Sequence, residues 1–250
     1  MKESKDKFST QAKQYQKFRP VYPELLYSFL DSKVQKFETA WDCGTGNGQV
    51  ATKLAERFKK VYATDISEKQ LDEAVSKENI LYAVSRAEET DFQDNQFDLI
   101  TTAQSVHWFD LDHFYKEVTR VAKPNAVIAL WGYNLLRISG EIDKLIDDFY
   151  GKTLGDYWDY EREIIENEYK SLPFPFEEFE VPRFEIVANW DYQQLLGYFN
   201  SWSAVQNYIE KNGKNPVDLL DKQIQAYWKP DEVKRIRFRI FTRIGKVEKG

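Results

Sequence analysis

The chain has 250 residues, enough for one sizeable domain, and a formal net charge of −6 that argues against nucleic acid as a main partner, since phosphate binding needs a basic surface. Its single cysteine excludes an internal disulfide, and it has no run of about 18 apolar residues to span a membrane. The opening "MKESKDKFSTQAKQYQKF" lacks the apolar stretch of a signal peptide, so the expectation is a soluble, cytoplasmic protein, monomeric or a homodimer.

Residues 1–34 read as an N-terminal segment that leads into a helix, "PELLYSFL". "FETAWDC" (Phe37–Cys43) reads as a strand that runs into glycines. In "GQVATKLAERF", Val50, Leu54 and Phe58 recur at helical spacing beside Ala51 and Ala55, which makes one apolar stripe. "KVYATD" is the next strand, and "SEKQLDEAVSK" a helix opened by a Ser67-x-x-Gln70 capping box. "ILYAVSRAEE" and "FDLITTAQ" are strands. "DLDHFYKEVTRV" is a helix with Leu111, Phe114, Val118 and Val121 on one face, and "KPNAVIALWGYN" is a turn followed by a strand. Strands alternating with helices across short connections imply a doubly wound α/β fold, with a mostly parallel sheet covered on both faces and right-handed crossovers.

The pattern changes after Asn134. Residues 141–171 have helical periods, and "LPFPFEEFEVPRFEIVANW" starts extended and becomes a strand near Phe184–Val187. Residues 191–228 read as helix in two pieces broken at "NGKNP". In "KRIRFRIFTRIGKV" the period is two: Ile236, Phe238 and Ile240 face one way, and Arg235, Arg237 and Arg239 face solvent. The reading is a single domain over 1–250 with helical cap elements at 135–172 and 191–228. The aromatic content of 16% suits either a ring-lined cavity or an aromatic-rich core.

"DCGTGNGQV" is the most informative motif. Gly44, Gly46 and Gly48 sit between a strand and a helix, where the backbone must turn tightly and lie against a ligand. A dinucleotide fingerprint, G-x-G-x-x-G, has its third glycine one residue later. Asp42, just before the loop, would repel a pyrophosphate but suits an ammonium group such as the methionine end of S-adenosylmethionine. Asp65 ends the second strand, where a carboxylate accepts hydrogen bonds from ribose hydroxyls in either cofactor class.

These residues carry a family resemblance. The blocks "FSTQAKQYQKFRPVYP", "WDCGTGNGQVATKLAERFKKVYATDISEKQL", "FDLITTAQSVHWFDLDHFYKEVTRV" and "LLGYFNSWSAVQNY" resemble class I S-adenosylmethionine-dependent methyltransferases, and within them the branch of trans-aconitate methyltransferase-like and embryo-abundant proteins. The resemblance implies a seven-stranded sheet with an antiparallel C-terminal strand, and S-adenosylmethionine as cofactor. It puts Asp42 and the three glycines at the methionine part, Asp65 on the ribose, Ile66 beside the adenine, Ala87 and Glu88 at the adenine amino group, and Gln104 at the sulfonium end. It also makes the N-terminal segment a lid, so that Tyr15 and Arg19 bind cofactor and Tyr22 faces substrate. Arg19 suits the carboxylate of either ligand.

"AQSVHWFD" follows the fourth strand and holds His107, one of only two histidines. Beside a cofactor it reads as a site wall: His107 is either a base or a structural histidine that shapes the pocket, and Trp108 a cation–π wall for the sulfonium. Trp202, in "SWSAV", is either part of the substrate cap or core packing. His113 is expected on the surface, Cys43 in a small apolar gap, and no metal site is expected. The function expected is methyl transfer to a small molecule, with a carboxylic acid as first candidate by analogy. A non-catalytic binder of the same cofactor and an NAD-dependent oxidoreductase are the alternatives.

Overall fold

The structure, a computed structural model, describes residues 18–249. Helix α1 (Glu24–Lys33) precedes β1 (Thr39–Cys43), α2 (Gln49–Leu54), β2 (Lys60–Asp65), α3 (Glu68–Asp72) and β3 (Ile80–Val84). Then come β4 (Phe97–Ala103), α4 (Leu111–Val121) and β5 (Ala122–Tyr133). The back half holds α5 (Gly140–Asp148), α6 (Arg162–Glu166), the two-residue β6 (Glu177–Glu178), β7 (Phe184–Asp191), α7 (Tyr192–Asn200), α8 (Ser203–Asn212), α9 (Val217–Ile224) and β8 (Val233–Lys246).

One sheet runs β3-β2-β1-β4-β5-β8, with β6 and β7 both pairing with β8. The first five strands are parallel, and β8 runs against β5, β6 and β7. Strand β8 is long enough to serve two partners: its first half pairs with β7 and its second with β5, and Ile240 meets both Phe184 and Tyr133. The order reverses at β1, from which the chain first builds outward to β3 and then returns to place β4 on the other side. The C-terminal ends of β1, β2, β4 and β5 therefore share one edge, where doubly wound sheets bind ligands.

Alternation along the strands feeds two cores, one on each face of the sheet. Ala40, Leu99 and Ala129 pack with α1 and α2 on one face, and Trp41, Ile100 and Leu130 pack with α4 on the other. On α4 the stripe residues Phe114, Val118 and Val121 are buried as expected and Leu111 is half-buried, while Tyr115 and Glu117, outside the stripe, are buried as well. In β8, Ile236, Phe238 and Ile240 are buried while Arg235, Arg237 and Arg239 are exposed.

Some expectations need correction. Helix α3 has only five residues, and Ser67 occupies its N-cap without a side-chain capping bond. The cause is competition: Asp65 Oδ1 accepts the Ser67 N–H at 2.9 Å, while Gln70 is buried under the glycine loop instead of reaching back. Residues 191–228 form three helices rather than two, because the chain also breaks at Ser201, whose hydroxyl donates to the Tyr198 carbonyl at 2.6 Å. Residues 141–171 are only partly helical; α5 gives way to a π-turn at Phe149–Thr153, then single turns, then α6. Helix α9 packs on α5 and α7, and α6 packs on the turn Val106–Trp108.

Candidate active site

The glycine loop leaves β1 with Gly44, Gly46 and Gly48 all in the left-handed region, at φ of 66°, 55° and 80°. At Gly44 a side chain would meet Ser105 Cβ at 2.6 Å, and at Gly48 it would run into the Tyr82 hydroxyl. Gly46 differs: among the described residues its missing Cβ would meet only Gln70 Oε1, at 3.8 Å. The first and third glycines let the loop pack against the protein, whereas the middle one leaves a face open.

Two carboxylates hold the loop from below. Asp42 is 1% exposed. Its Oδ2 accepts from Thr45 Oγ1 at 2.5 Å and from the Ala51 amide at 3.1 Å, and its Oδ1 from Thr101 Oγ1 at 2.8 Å. Burial pushes this carboxyl up to about 6, against the pull of those three hydrogen bonds. Asp65 Oδ2 accepts the Gly46 amide at 2.8 Å, which ties the open residue of the loop to the end of β2. Between them lies Cys43, fully buried, its thiol pushed well above the usual range by burial and by the charges of Asp42, Asp65 and Glu88.

Segment 104–108 separates the loop from a cavity. Ser105 Oγ faces the loop, within 2.6 Å of Thr102 Oγ1 and 3.3 Å of the Cys43 carbonyl, to which it donates. Gln104, His107 and Trp108 face the cavity, whose volume is about 70 Å³. Gln104 is a non-glycine residue at φ 57°, a strained conformation of the kind found at functional sites. His107 is buried with Nδ1 3.3 Å from the Tyr169 hydroxyl. Burial, with the Arg162 charge nearby, lowers its pKa to about 3, so the ring is neutral at neutral pH.

The opposite wall comes from the back half of the chain. Trp158 and Trp202 lie 5.5 Å apart between ring centroids, and Tyr198 is 5.6 Å from Trp202. Arg19 donates to the Tyr133 hydroxyl at 3.0 Å and to the Ser201 carbonyl at 3.4 Å, which ties Arg19 itself to the ends of β5 and α7. Arg162 and Asp159 complete the polar lining.

The structure thus brings Arg19, Gln104, His107, Trp108 and Trp202 onto one cavity. It gathers Asp42, Gly44, Gly46, Gly48 and Asp65 at the loop. Ile66 is exposed; Ala87 is buried; and Glu88 Oε1 accepts the Asp110 amide at 3.0 Å. Tyr22 packs edge-on to Trp131 at 5.6 Å and does not line the cavity. Tyr15 lies outside the described residues. His113 is exposed, and its Nδ1 is 3.1 Å from Asp110. Among the described residues no group of three or more His, Cys, Asp or Glu side chains gathers as a metal site, and no helix is long and apolar enough to cross a membrane.

Comparison with known proteins decides the family. The family model "Methyltransferase domain" matches residues 41–130, from β1 to β5. A Dictyostelium discoideum protein named as a methyltransferase is 34% identical over 227 residues, covering 89% of this chain and 86% of the relative. The chain belongs to the class I S-adenosylmethionine-dependent methyltransferases. A solved Anaeromyxobacter dehalogenans structure, described as a type II methyltransferase, superposes with a TM-score of 0.86 at 38% identity, over 93% of this chain and all of that one. A Bacillus halodurans structure at 18% identity, TM-score 0.52, shares the fold over 91% of this chain.

Membership displaces the dinucleotide and non-catalytic alternatives: the protein is an enzyme and S-adenosylmethionine its cofactor. The residues present fit that cofactor, because the loop is flattened by three left-handed glycines and keeps open, at Gly46, the space that a Cβ would fill. Several residues of the site were not legible from sequence. Thr45 and Thr101 bind Asp42 from the loop and from β4; their burial depends on strand neighbours that no local pattern reveals. Trp158, Asp159 and Arg162 line the cavity from a segment that carries no recognised motif, and Tyr133 and Tyr198 from elements whose reading did not single them out. The signal available was the aromatic and charge density of "YWDYEREI".

Proposed function

We propose that this methyltransferase acts on a small carboxylic acid held in the cavity beside Gln104. The observation that carries the reading is the lining among the described residues: two guanidinium groups, Arg19 and Arg162, against one carboxylate, Asp159, inside walls of Trp108, Trp158 and Trp202. A cavity with a cationic excess favours an anionic acceptor, and planar rings favour a flat or unsaturated one. The resemblance to the trans-aconitate methyltransferase-like branch supports the same class.

When bound, S-adenosylmethionine supplies a methyl carbon on a positively charged sulfur, open to in-line displacement. The open face at Gly46 suits the methionine part, and Asp42 acts from below by fixing the loop. Asp65 is assigned to the ribose from its place at the end of β2, where its carboxylate also accepts the Gly46 and Ser67 amides. Ile66, Ala87 and Glu88 are assigned to the adenine end. Gln104 stands where the two sites meet. The aromatic walls exclude water, and the arginines hold the acceptor in one orientation.

No proton has to leave a carboxylate, which is already anionic at neutral pH. A neutral His107 with a pKa lowered to about 3 is a poor proton acceptor, so its part is to shape the cavity and offer a hydrogen bond. Turnover with a panel of carboxylic acids, phenols, thiols and amines tests the proposal. Methylation confined to the acids is expected; preferential methylation of amines or thiols would overturn it.

A further inference from the structure

The two arginines of the cavity differ in how they are engaged. Arg19 spends both terminal nitrogens on the protein, one on the Tyr133 hydroxyl and one on the Ser201 carbonyl. Arg162 spends only Nε, which donates to the Tyr150 hydroxyl at 2.8 Å. Its guanidinium carbon lies 4.7 Å from the Trp158 ring centroid and 5.3 Å from that of Tyr150, so two rings and one hydrogen bond fix its plane. The Tyr150 hydroxyl is itself held by a hydrogen bond to Glu166.

Among the described residues no carboxylate lies within ion-pair distance of Arg162, and its two terminal nitrogens have no protein acceptor. The positive charge is felt by His107 and Tyr198, on two sides of the cavity. A cation lining an aromatic cavity, oriented from behind, with its two-pronged edge unspent, is the geometry that takes a carboxylate in a bidentate pair.

We infer that Arg162 is the specificity-determining residue of the acceptor site, the anchor that takes a carboxylate through its two terminal nitrogens, with Tyr150 and Trp158 holding its plane. The inference rests on reading this cavity as the acceptor site. It separates two tasks that the pair of arginines shares by charge alone: Arg19 ties the chain just before α1 to Tyr133 and Ser201, and Arg162 recognises the ligand. Tyr150 is a positioning residue that acts through Arg162.

The test titrates the S-adenosylhomocysteine-loaded protein with acetate, succinate and benzoate, and with the neutral amide of each. Tryptophan fluorescence is the readout, since Trp108, Trp158 and Trp202 line the cavity. The best-bound acid is expected to bind the wild type about 10- to 100-fold more tightly than its amide. Arg162→Gln is expected to erase that preference with S-adenosylhomocysteine affinity unchanged. Arg162→Lys keeps the charge without the fork and should retain only part of the preference; Tyr150→Phe, which frees the guanidinium plane, should fall between wild type and Arg162→Gln. A wild type with no preference for any acid, or a preference that survives in Arg162→Gln, overturns the inference. Methyl transfer to the same acids is measured in parallel. Acids that bind through Arg162 without being methylated sink the proposed reaction but leave the anchor standing, and acids methylated with unchanged KM by Arg162→Gln do the reverse.

Discussion

His107 gives a prediction whose sign and size follow from its burial. Its pKa falls from 6.5 to about 3 in the fold, so the unfolded chain takes up a proton below 6.5 and the folded chain does not. The stability this group contributes is present above pH 6.5 and is lost as pH falls toward 3. At one pKa unit per 1.36 kcal/mol, the loss at pH 4.5 is about 2–3 kcal/mol. Asp42 acts in the opposite sense. Its pKa rises from 3.8 to about 6, so its contribution is fully present below 3.8 and is lost as pH rises through 6. At pH 4.5 it offsets the histidine by about 2 kcal/mol, and the wild-type stability alone reports neither group. The difference between wild type and His107→Gln isolates the histidine. Urea unfolding of both proteins at pH 7.5 and pH 4.5 should show the variant gaining about 2–3 kcal/mol relative to wild type at the lower pH. A difference that does not change with pH would refute the reasoning, because it would mean that His107 titrates normally in the fold. The same neutral histidine predicts that kcat/KM has no acid limb near 6.5 assignable to His107.

Further predictions concern the loop and its strained neighbour. Gly48→Ala adds both a left-handed strain and a collision with Tyr82, and should cost more than about 2 kcal/mol in thermal or urea unfolding; Gly46→Ala should cost only the strain, about 1–2 kcal/mol, but should weaken S-adenosylhomocysteine binding by calorimetry because its methyl enters the open face. Asp42→Asn turns an amide donor toward either Thr101 or the Thr45 and Ala51 donors, and should lose about 1–3 kcal/mol of stability together with the opposing pH term. Gln104→Gly relieves φ 57° and should raise Tm by a few degrees while turnover falls; a lower Tm would mean that the conformation carries no strain.

The α/β sheet was legible because its signals are local. β2 covers "KVYATD" from end to end, and the alternation of Ile236, Phe238 and Ile240 survives in β8. The glycine loop was legible for the same reason: three left-handed turns demand glycine whatever lies around them. The acceptor side was not. Arg162 becomes informative only when Tyr150, twelve residues earlier, binds its Nε and Trp158 stacks on it. Asp42, which the resemblance makes an orienting contact at the methionine part more than a direct one, has partners that sequence could not name: Thr45, Ala51 and Thr101, the last brought in by the pairing of β1 with β4. Ser67 failed as a capping box because Asp65 and the burial of Gln70, both set by the loop, outweighed the local motif.

The most direct test of the account follows the label from S-adenosylmethionine carrying a radioactive methyl group, incubated with the enzyme and small carboxylic acids. A methyl ester releases its label as methanol in mild base, whereas a methyl on nitrogen, carbon or sulfur does not. The account predicts label that depends on an added acid and is lost in base; base-stable label, or none with any acid, contradicts it.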